Sequence, residues 1–235
     1  MSRLDEWLVK NQVFPSKSRA NRFVREVGVL INGQLVKKPS YSIKSKDNVH
    51  IDEPAIYKYR KPIGYQKLEF FAFHPNFPPF SQSDRCLDIG ASFGGYSLYL
   101  LEQNVASVHA IEISPECESA LKEIQKKWTN FSYRITNFFI LSQNDFEKTF
   151  NVITADLTLD PRFLIKKLEI FAQLLEPNKV PARLLMTVKT GKIKNPAVIL
   201  SEFEQELSKF FLNASYTWLD SFPDKQEQIL LMIWE

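Results

Sequence analysis

The chain is poor in the residues that build metal and disulfide sites. Its 235 residues include two cysteines, Cys86 and Cys117, thirty-one positions apart. No CxxC and no Cys/His pair has zinc-ligand spacing, so no metal is expected. Cys86 leads into an apolar strand and reads as a buried thiol. Long apolar runs are also missing. The longest late stretch, Ile229 to Trp234, falls far short of a bilayer span. Near the N-terminus Asp5, Glu6 and Lys10 break any signal-like run. These absences lead to the expectation of a cytoplasmic protein with no membrane partner. No internal repeat or low-complexity segment is visible. The oligomeric state is not legible.

A hydrophobic fraction of 44% suffices for a packed core. The net charge of +3 conceals an asymmetry. Residues 1–67 carry 14 Lys/Arg against 6 Asp/Glu, whereas residues 68–235 carry 16 against 21. A basic front module joined to an acidic one suggests that the front meets a polyanion.

Leu4, Trp7 and Leu8 fall at helical spacing, and Pro15 ends that element. Ser16 or Ser18 can cap a second helix, with Ala20, Phe23, Val24 and Val27 on one face and Gly28 as its stop. Val29-Leu30-Ile31 then meets Asn32-Gly33, a strong hairpin signal, and Leu35-Val36 resumes the strand. Ile43, Val49 and Ile51 suggest further short strands. Two helices, a hairpin and short strands within sixty residues resemble the alpha-L RNA-binding motif, a small α+β domain first known from a ribosomal protein. The resemblance rests on Arg3-Leu4-Asp5, Ser18-Arg19-Ala20, Val29-Leu30-Ile31-Asn32-Gly33 and Pro39. It implies RNA contacts from Arg3, Lys17, Arg19, Arg22 and Lys37. The expected division is an RNA-binding domain at 1–57, a linker at 58–66 and a second domain at 67–235. Residues 52–63 read as linker because two prolines and mixed charge leave no clean period. Gly64 to His74 then looks helical, with Leu68, Phe71 and Phe73 available for burial.

From residue 84 strands and helices alternate. Strands are expected at 84–90, 106–112, 131–136, 150–156, 182–189, 214–219 and 227–234. Helices are expected at 94–103, 115–128, 143–149, 160–175 and 196–212. Such alternation gives an α/β fold, a mostly parallel seven-stranded sheet covered on both faces. The first strand ends in Leu87-Asp88-Ile89-Gly90-Ala91-Ser92-Phe93-Gly94-Gly95. This turn lies where open α/β sheets bind ligands, and its glycines let backbone approach one. It is not a P-loop, because no Gly-Lys-Ser/Thr follows, and it lacks the full G-x-G-x-x-G pattern. Glu112 closes the next strand 22 residues after Gly90, where an acid can accept ribose hydroxyls. The pair points to a nucleoside cofactor, and the spacing alone leaves a dinucleotide open.

The loop Asp88-Ile89-Gly90-Ala91-Ser92-x-Gly94-Gly95-aromatic resembles the S-adenosylmethionine loop of the FtsJ-like RNA methyltransferases. Joined to the basic front domain, it resembles the TlyA family, an alpha-L domain fused to a Rossmann-like ribose 2′-O-methyltransferase acting on ribosomal RNA. The resemblance implies S-adenosylmethionine as cofactor, held by Asp88, Gly90, Ala91, Ser92, Gly94, Gly95, Glu112, Asn137 and Asp156. It also implies a Lys-Asp-Lys-Glu tetrad, matched in order by Lys67, Asp156, Lys189 and Glu227. Lys189 would stabilise the developing alkoxide or, when neutral, act as base; Lys67 would steer the ribose or a phosphate. The chain departs from the family at Phe93, where a threonine is usual. Other acceptors, such as an RNA base or a small molecule, stay open. So do an RNA-binding protein without turnover and a membrane-active hemolysin, and so does the choice between naked RNA and a ribosomal subunit.

Overall fold

The computed structural model describes residues 2–176, 181–191, 193–219 and 226–234. The chain divides into two units, one ending at Pro62 and the next beginning at Ile63.

The first unit runs β1 (Ser2–Arg3), α1 (Leu4–Lys10), α2 (Lys17–Glu26), β2 (Val29–Ile31), β3 (Gln34–Val36), β4 (Ser42–Ile43), β5 (Val49–His50) and α3 (Glu53–Arg60). Ser16 caps α2, its side chain accepting the Arg19 amide. The hairpin pairs Val29 with Val36 and Ile31 with Gln34. Both turn residues, Asn32 and Gly33, have positive φ, the requirement of a type I′ turn. Leu4, Leu8, Ala20, Phe23, Val24, Val29 and Ile31 form the core. The stretch expected as linker is largely helical. Its period is hidden because Pro54 sits in the first turn, where a missing amide costs nothing; Ile56 and Tyr59 are buried and Ala55 packs against the core. Tyr59 packs edge-on against Phe23, and its hydroxyl donates to Glu26 at 2.5 Å.

The second unit runs α4 (Ile63–Ala72), β6 (Arg85–Ile89), α5 (Gly95–Glu102), β7 (Ser107–Glu112), α6 (Glu118–Lys127), β8 (Phe131–Ile135), β9 (Val152–Ala155), α7 (Pro161–Ile165), α8 (Leu168–Leu174), β10 (Ala182–Lys189), α9 (Pro196–Leu207), β11 (Ser215–Leu219) and β12 (Glu227–Trp234). Its seven strands lie in the order β11-β12-β10-β9-β6-β7-β8. The pairs from β10 through β8 are parallel, and β12 is antiparallel to both of its neighbours. The chain leaves β6 toward β7 and β8, then returns to place β9 on the other side of β6. That reversal makes β6/β9 the switch point, the crevice where α/β sheets bind ligands.

Side chains alternate between the two faces of a strand, and each face has its own core. Leu87, Ile89, Ile153, Leu184, Met186 and Val188 belong to the face covered by α7, α8 and α9. Cys86, Val108, Val152, Leu185, Ile229 and Leu231 belong to the face covered by α4 and α5. The same parity assigns Asp88, Thr154, Asp156, Lys189 and Glu227 to the α4/α5 side.

Four local expectations change. The helix expected at 160–175 is two helices, broken at Lys166–Lys167. The one at 143–149 is a single 3-10 turn, Gln143–Asp145, and the one at 196–212 stops at Leu207. Phe73 is exposed rather than buried, because α4 has ended at Ala72.

Candidate active site

The turn after β6 is shaped from inside. Asp88 is buried, and its Oδ2 accepts the Ser97 amide at 3.0 Å and the Ser97 hydroxyl at 2.6 Å. Its Oδ1 accepts the Thr154 hydroxyl at 3.1 Å. Burial raises its pKa to about 6 despite these donors. Asp88 therefore ties β6 to the start of α5 and to β9, with both carboxylate oxygens engaged. Above it the chain turns through φ values of +77° at Gly90 and +75° at Gly94. A Cβ at Gly90 would stand 2.9 Å from the Asp156 carbonyl oxygen, and one at Gly94 would stand 2.2 Å from Ile124 Cδ1. Glycine is needed at both by φ, and at Gly90 also by space, because backbone stands there. Gly95 backs onto Gly64 of α4. Ala91 donates its amide to the Ile111 carbonyl at 3.1 Å.

Glu112 closes β7 and clamps this loop. Its Oε2 accepts the Ser92 amide at 2.7 Å and its Oε1 the Ser114 amide at 2.8 Å. Each carboxylate oxygen keeps a lone pair beyond these bonds. Asn137 follows Thr136, whose amide donates to the Glu112 carbonyl at 2.7 Å. The Asn137 side chain accepts the Phe139 amide at 3.0 Å and caps a 3-10 turn. Ser97 and Thr154 were missed from sequence. Strand-face parity with Asp88 could have flagged Thr154; Ser97 stands on α5 and carried no such signal.

The four charged residues expected as a tetrad meet in one ring. Lys189 and Glu227 are directly opposed partners in the β10/β12 ladder. Asp156 follows β9, the parallel neighbour of β10, and Lys67 reaches in from α4. Lys67 Nζ lies 2.6 Å from Asp156 Oδ2 and 2.8 Å from Glu227 Oε1. Lys189 Nζ lies 2.8 Å from Asp156 Oδ1 and 2.6 Å from Glu227 Oε2. Two cations alternate with two anions, and each touches both of its opposites. Their exposure is unequal. Lys67 and Glu227 are 3% exposed, whereas Asp156 and Lys189 are 24% and 29% exposed. Burial works against the ionised form of both exposed members, yet the opposite charges win. Asp156 is held below the ordinary carboxylate range by Lys67 and Lys189. Lys189 is held above the ordinary lysine value by Asp156 and Glu227. Lys67 is thus a buried member of the ring, not a surface group free to reach for a ribose or phosphate.

Residues 65–213 match the FtsJ-like methyltransferase family. The chain belongs to that family. Residues 2–49 match the S4 domain, so this FtsJ-like enzyme carries the S4 front module that marks the TlyA arrangement. Over 113 residues the chain is 32% identical to "Hemolysin A" of Brachyspira hyodysenteriae, a match covering 47% of this chain and 44% of that protein. The chain thus matches less than half the length of that curated relative. A Streptococcus thermophilus chain provisionally described as a hemolysin shares the fold, with TM-score 0.58 and 19% identity over 99% of this chain and 88% of that one. Aeropyrum pernix fibrillarin, solved with natively bound S-adenosyl-L-methionine, shares it with TM-score 0.55 and 12% identity over 72% of this chain and 75% of that one.

In the S4 domain the cations expected to touch RNA are tied to their own unit. Arg3 makes two hydrogen bonds to Asp5, at 3.0 and 2.9 Å. Lys17 pairs with Glu6 at 2.7 Å and Arg22 with Glu26 at 2.9 Å. Lys37 donates to the Glu26 carbonyl at 3.1 Å, and Arg19 donates to the Arg60 carbonyl. Among the described residues no helix is long and apolar enough to cross a membrane, and no group of three or more His, Cys, Asp or Glu is placed to hold a metal ion.

Proposed function

We propose that the chain transfers a methyl group from S-adenosylmethionine to a ribose 2′-hydroxyl of RNA, the RNA being ribosomal. The observation that carries this reading is the Lys67–Asp156–Lys189–Glu227 ring at the carboxyl edge of the sheet, beside the turn after β6. The residues present fit the cofactor. Gly90 and Gly94 remove the Cβ at the two left-handed positions of the turn, and Glu112 retains acceptor capacity for ribose hydroxyls while it holds Ser92. Gly90, Ala91, Ser92, Gly94, Gly95, Glu112 and Asn137 would hold it, with Asp156 at the acceptor side and Asp88 acting from beneath. When bound, S-adenosylmethionine supplies an electrophilic methyl group on a sulfonium.

The chain's own part is alignment and charge. A ribose hydroxyl attacks poorly until its proton begins to leave, here to solvent water because Lys189 stays protonated, and the oxygen then gains negative charge. Lys189 is the partly exposed cation of the ring, and its raised pKa keeps it charged at neutral pH. It stabilises that oxygen electrostatically, a preorganised donor with no reorganisation to make. Asp156 and Glu227 fix its ammonium, and Lys67 fixes both carboxylates in turn. The S4 domain supports RNA as the acceptor, and the fibrillarin bound to S-adenosyl-L-methionine supports the donor.

The test is incubation of the full chain with labelled S-adenosylmethionine and ribosomal RNA or subunits. Label should sit in dinucleotides that resist alkali, because a methylated 2′-oxygen cannot attack its own phosphate. Label on a base would overturn the ribose assignment.

A further inference from the structure

The methyltransferase unit exposes large apolar side chains on or just after α4 (Ile63, Phe70, Phe73), at Val198 and Leu212, and at Phe93, Ile113, Ile140 and Phe163. The last four form a series. They lie one each in the segments that follow β6, β7, β8 and β9, all at the carboxyl edge where the ring of charges lies. Four exposed apolar side chains at the edge that carries the charged ring make that edge a candidate binding surface.

Phe163 is the informative member. It stands on α7, which begins five residues beyond Asp156. Pro161 and Leu164 anchor that helix in the core. Phe139 packs edge-on against the Phe163 ring, with centroids 5.4 Å apart and planes at 86°, which fixes its tilt. The residue nevertheless remains 42% exposed. Cations surround it. Arg162 on the helix and Lys166 at its C-terminal cap are exposed, and Lys167 Nζ lies 5.9 Å from the ring centroid. None of the three forms an ion pair among the described residues. The acids nearby are Asp160, whose carboxylate accepts the Arg162 amide at 2.8 Å, and Glu169 on α8. Of the S4 cations expected to touch RNA, by contrast, Arg3, Lys17 and Arg22 are paired with Asp5, Glu6 and Glu26.

We infer that α7 is a single-strand RNA contact on the methyltransferase unit itself, with Phe163 stacking a base that flanks the acceptor and Arg162 and Lys166 meeting the adjoining phosphates. An exposed aromatic interleaved with unpaired cations is the chemistry of single-strand binding, where every base offers a π-face and the backbone meets positive charge. A protein partner of the same area would leave these cations unmatched unless it were acidic. The inference rests on RNA being the acceptor, and its test separates the two.

The experiment uses the full chain, ribosomal RNA offered as methyl acceptor, and a labelled single-stranded oligoribonucleotide for direct binding. Phe163→Leu keeps an apolar side chain against Phe139 but removes the π-face, and Phe163→Trp keeps the stack. Phe163→Leu should lower kcat/KM for RNA about ten-fold, the scale of one base stack, with S-adenosylmethionine affinity unchanged. Phe163→Trp should restore parental values. Arg162→Ala with Lys166→Ala should flatten the salt dependence of binding by a slope of about two. If Phe163→Leu matches the parent within two-fold, the surface is not a base platform, whereas methylation by the parent would still stand. Equal impairment of the Leu and Trp variants would likewise overturn it, since packing would then be the cause. If the parent binds the oligonucleotide in a Phe163-dependent way yet transfers no methyl group, the enzymatic reading falls and this surface remains.

Discussion

Replacing Asp88 by asparagine should stabilise the protein at neutral pH. Asp88 is completely enclosed, with a pKa raised from 3.8 to about 6. Burial is the main cause; Ser97 and Thr154 offset part of it, and Asp156 adds repulsion. A folded pKa above the unfolded one means that the native state binds the proton more tightly. The associated stability is present in full below pH 3.8 and is lost as pH rises through about 6. At roughly 1.4 kcal/mol per unit, ionised Asp88 weighs about 3 kcal/mol against the fold at pH 7. An asparagine side chain would keep the shape. Its carbonyl can accept the Ser97 donors, and its amide can donate to Thr154. Denaturant unfolding of parent and Asp88→Asn at half-unit steps from pH 4 to 8 isolates the effect, because other titrating groups, such as His109 with its pKa lowered to about 4 by burial, cancel in the difference. The curves should lie close at pH 4 and diverge to as much as about 3 kcal/mol in favour of the variant above pH 7. A difference that stays constant across this range would refute the reasoning.

Gly94→Ala forces an L-residue to φ +75° and sets its Cβ against Ile124, so it should cost about 1–3 kcal/mol and weaken S-adenosylmethionine binding, read by unfolding and calorimetry. Lys67→Met leaves two carboxylates sharing Lys189. Breaking a buried pair costs about 3–5 kcal/mol, and the surviving contacts should keep the loss toward or below the lower end. Transfer should fall as well, because Lys189 is then drawn to both acids. The charge pattern of the ring should make transfer insensitive to pH from 6 to 9. Lys189's contribution to stability is complete below 10.5 and lost as pH climbs through its higher folded value. Asp156's is complete above 3.8 and lost as pH falls through its lower folded value. A log rate rising with unit slope through pH 9 would instead point to neutral Lys189 as base.

Chain-local signals carried much of this fold. The β6 turn and Glu112 are close in sequence, so a strand, a glycine turn and an acid at the next strand end could be read directly. Lys189 and Glu227 were legible as strand ends, and the ladder sets them face to face. Other features depend on distant partners. A lysine in a helix resembles a surface residue, and only closure of three other elements over Lys67 buries it. Asp88 looked like a ligand because it adjoins the turn, yet Ser97 and Thr154 claim it from the same sheet face. The α3 helix was hidden by Pro54 and by Lys58 between Ile56 and Tyr59. The S4 cations were read as free because Asp5, Glu6 and Glu26 were counted only in a net charge, without regard to position.

The central claim is tested most directly by methyl transfer to ribosomal RNA from labelled S-adenosylmethionine, comparing the parent with Lys189→Ala. The parent should place label on a ribose 2′-oxygen, and Lys189→Ala should bind the cofactor with near-parental affinity while transferring essentially none. Parental turnover by Lys189→Ala would contradict the account.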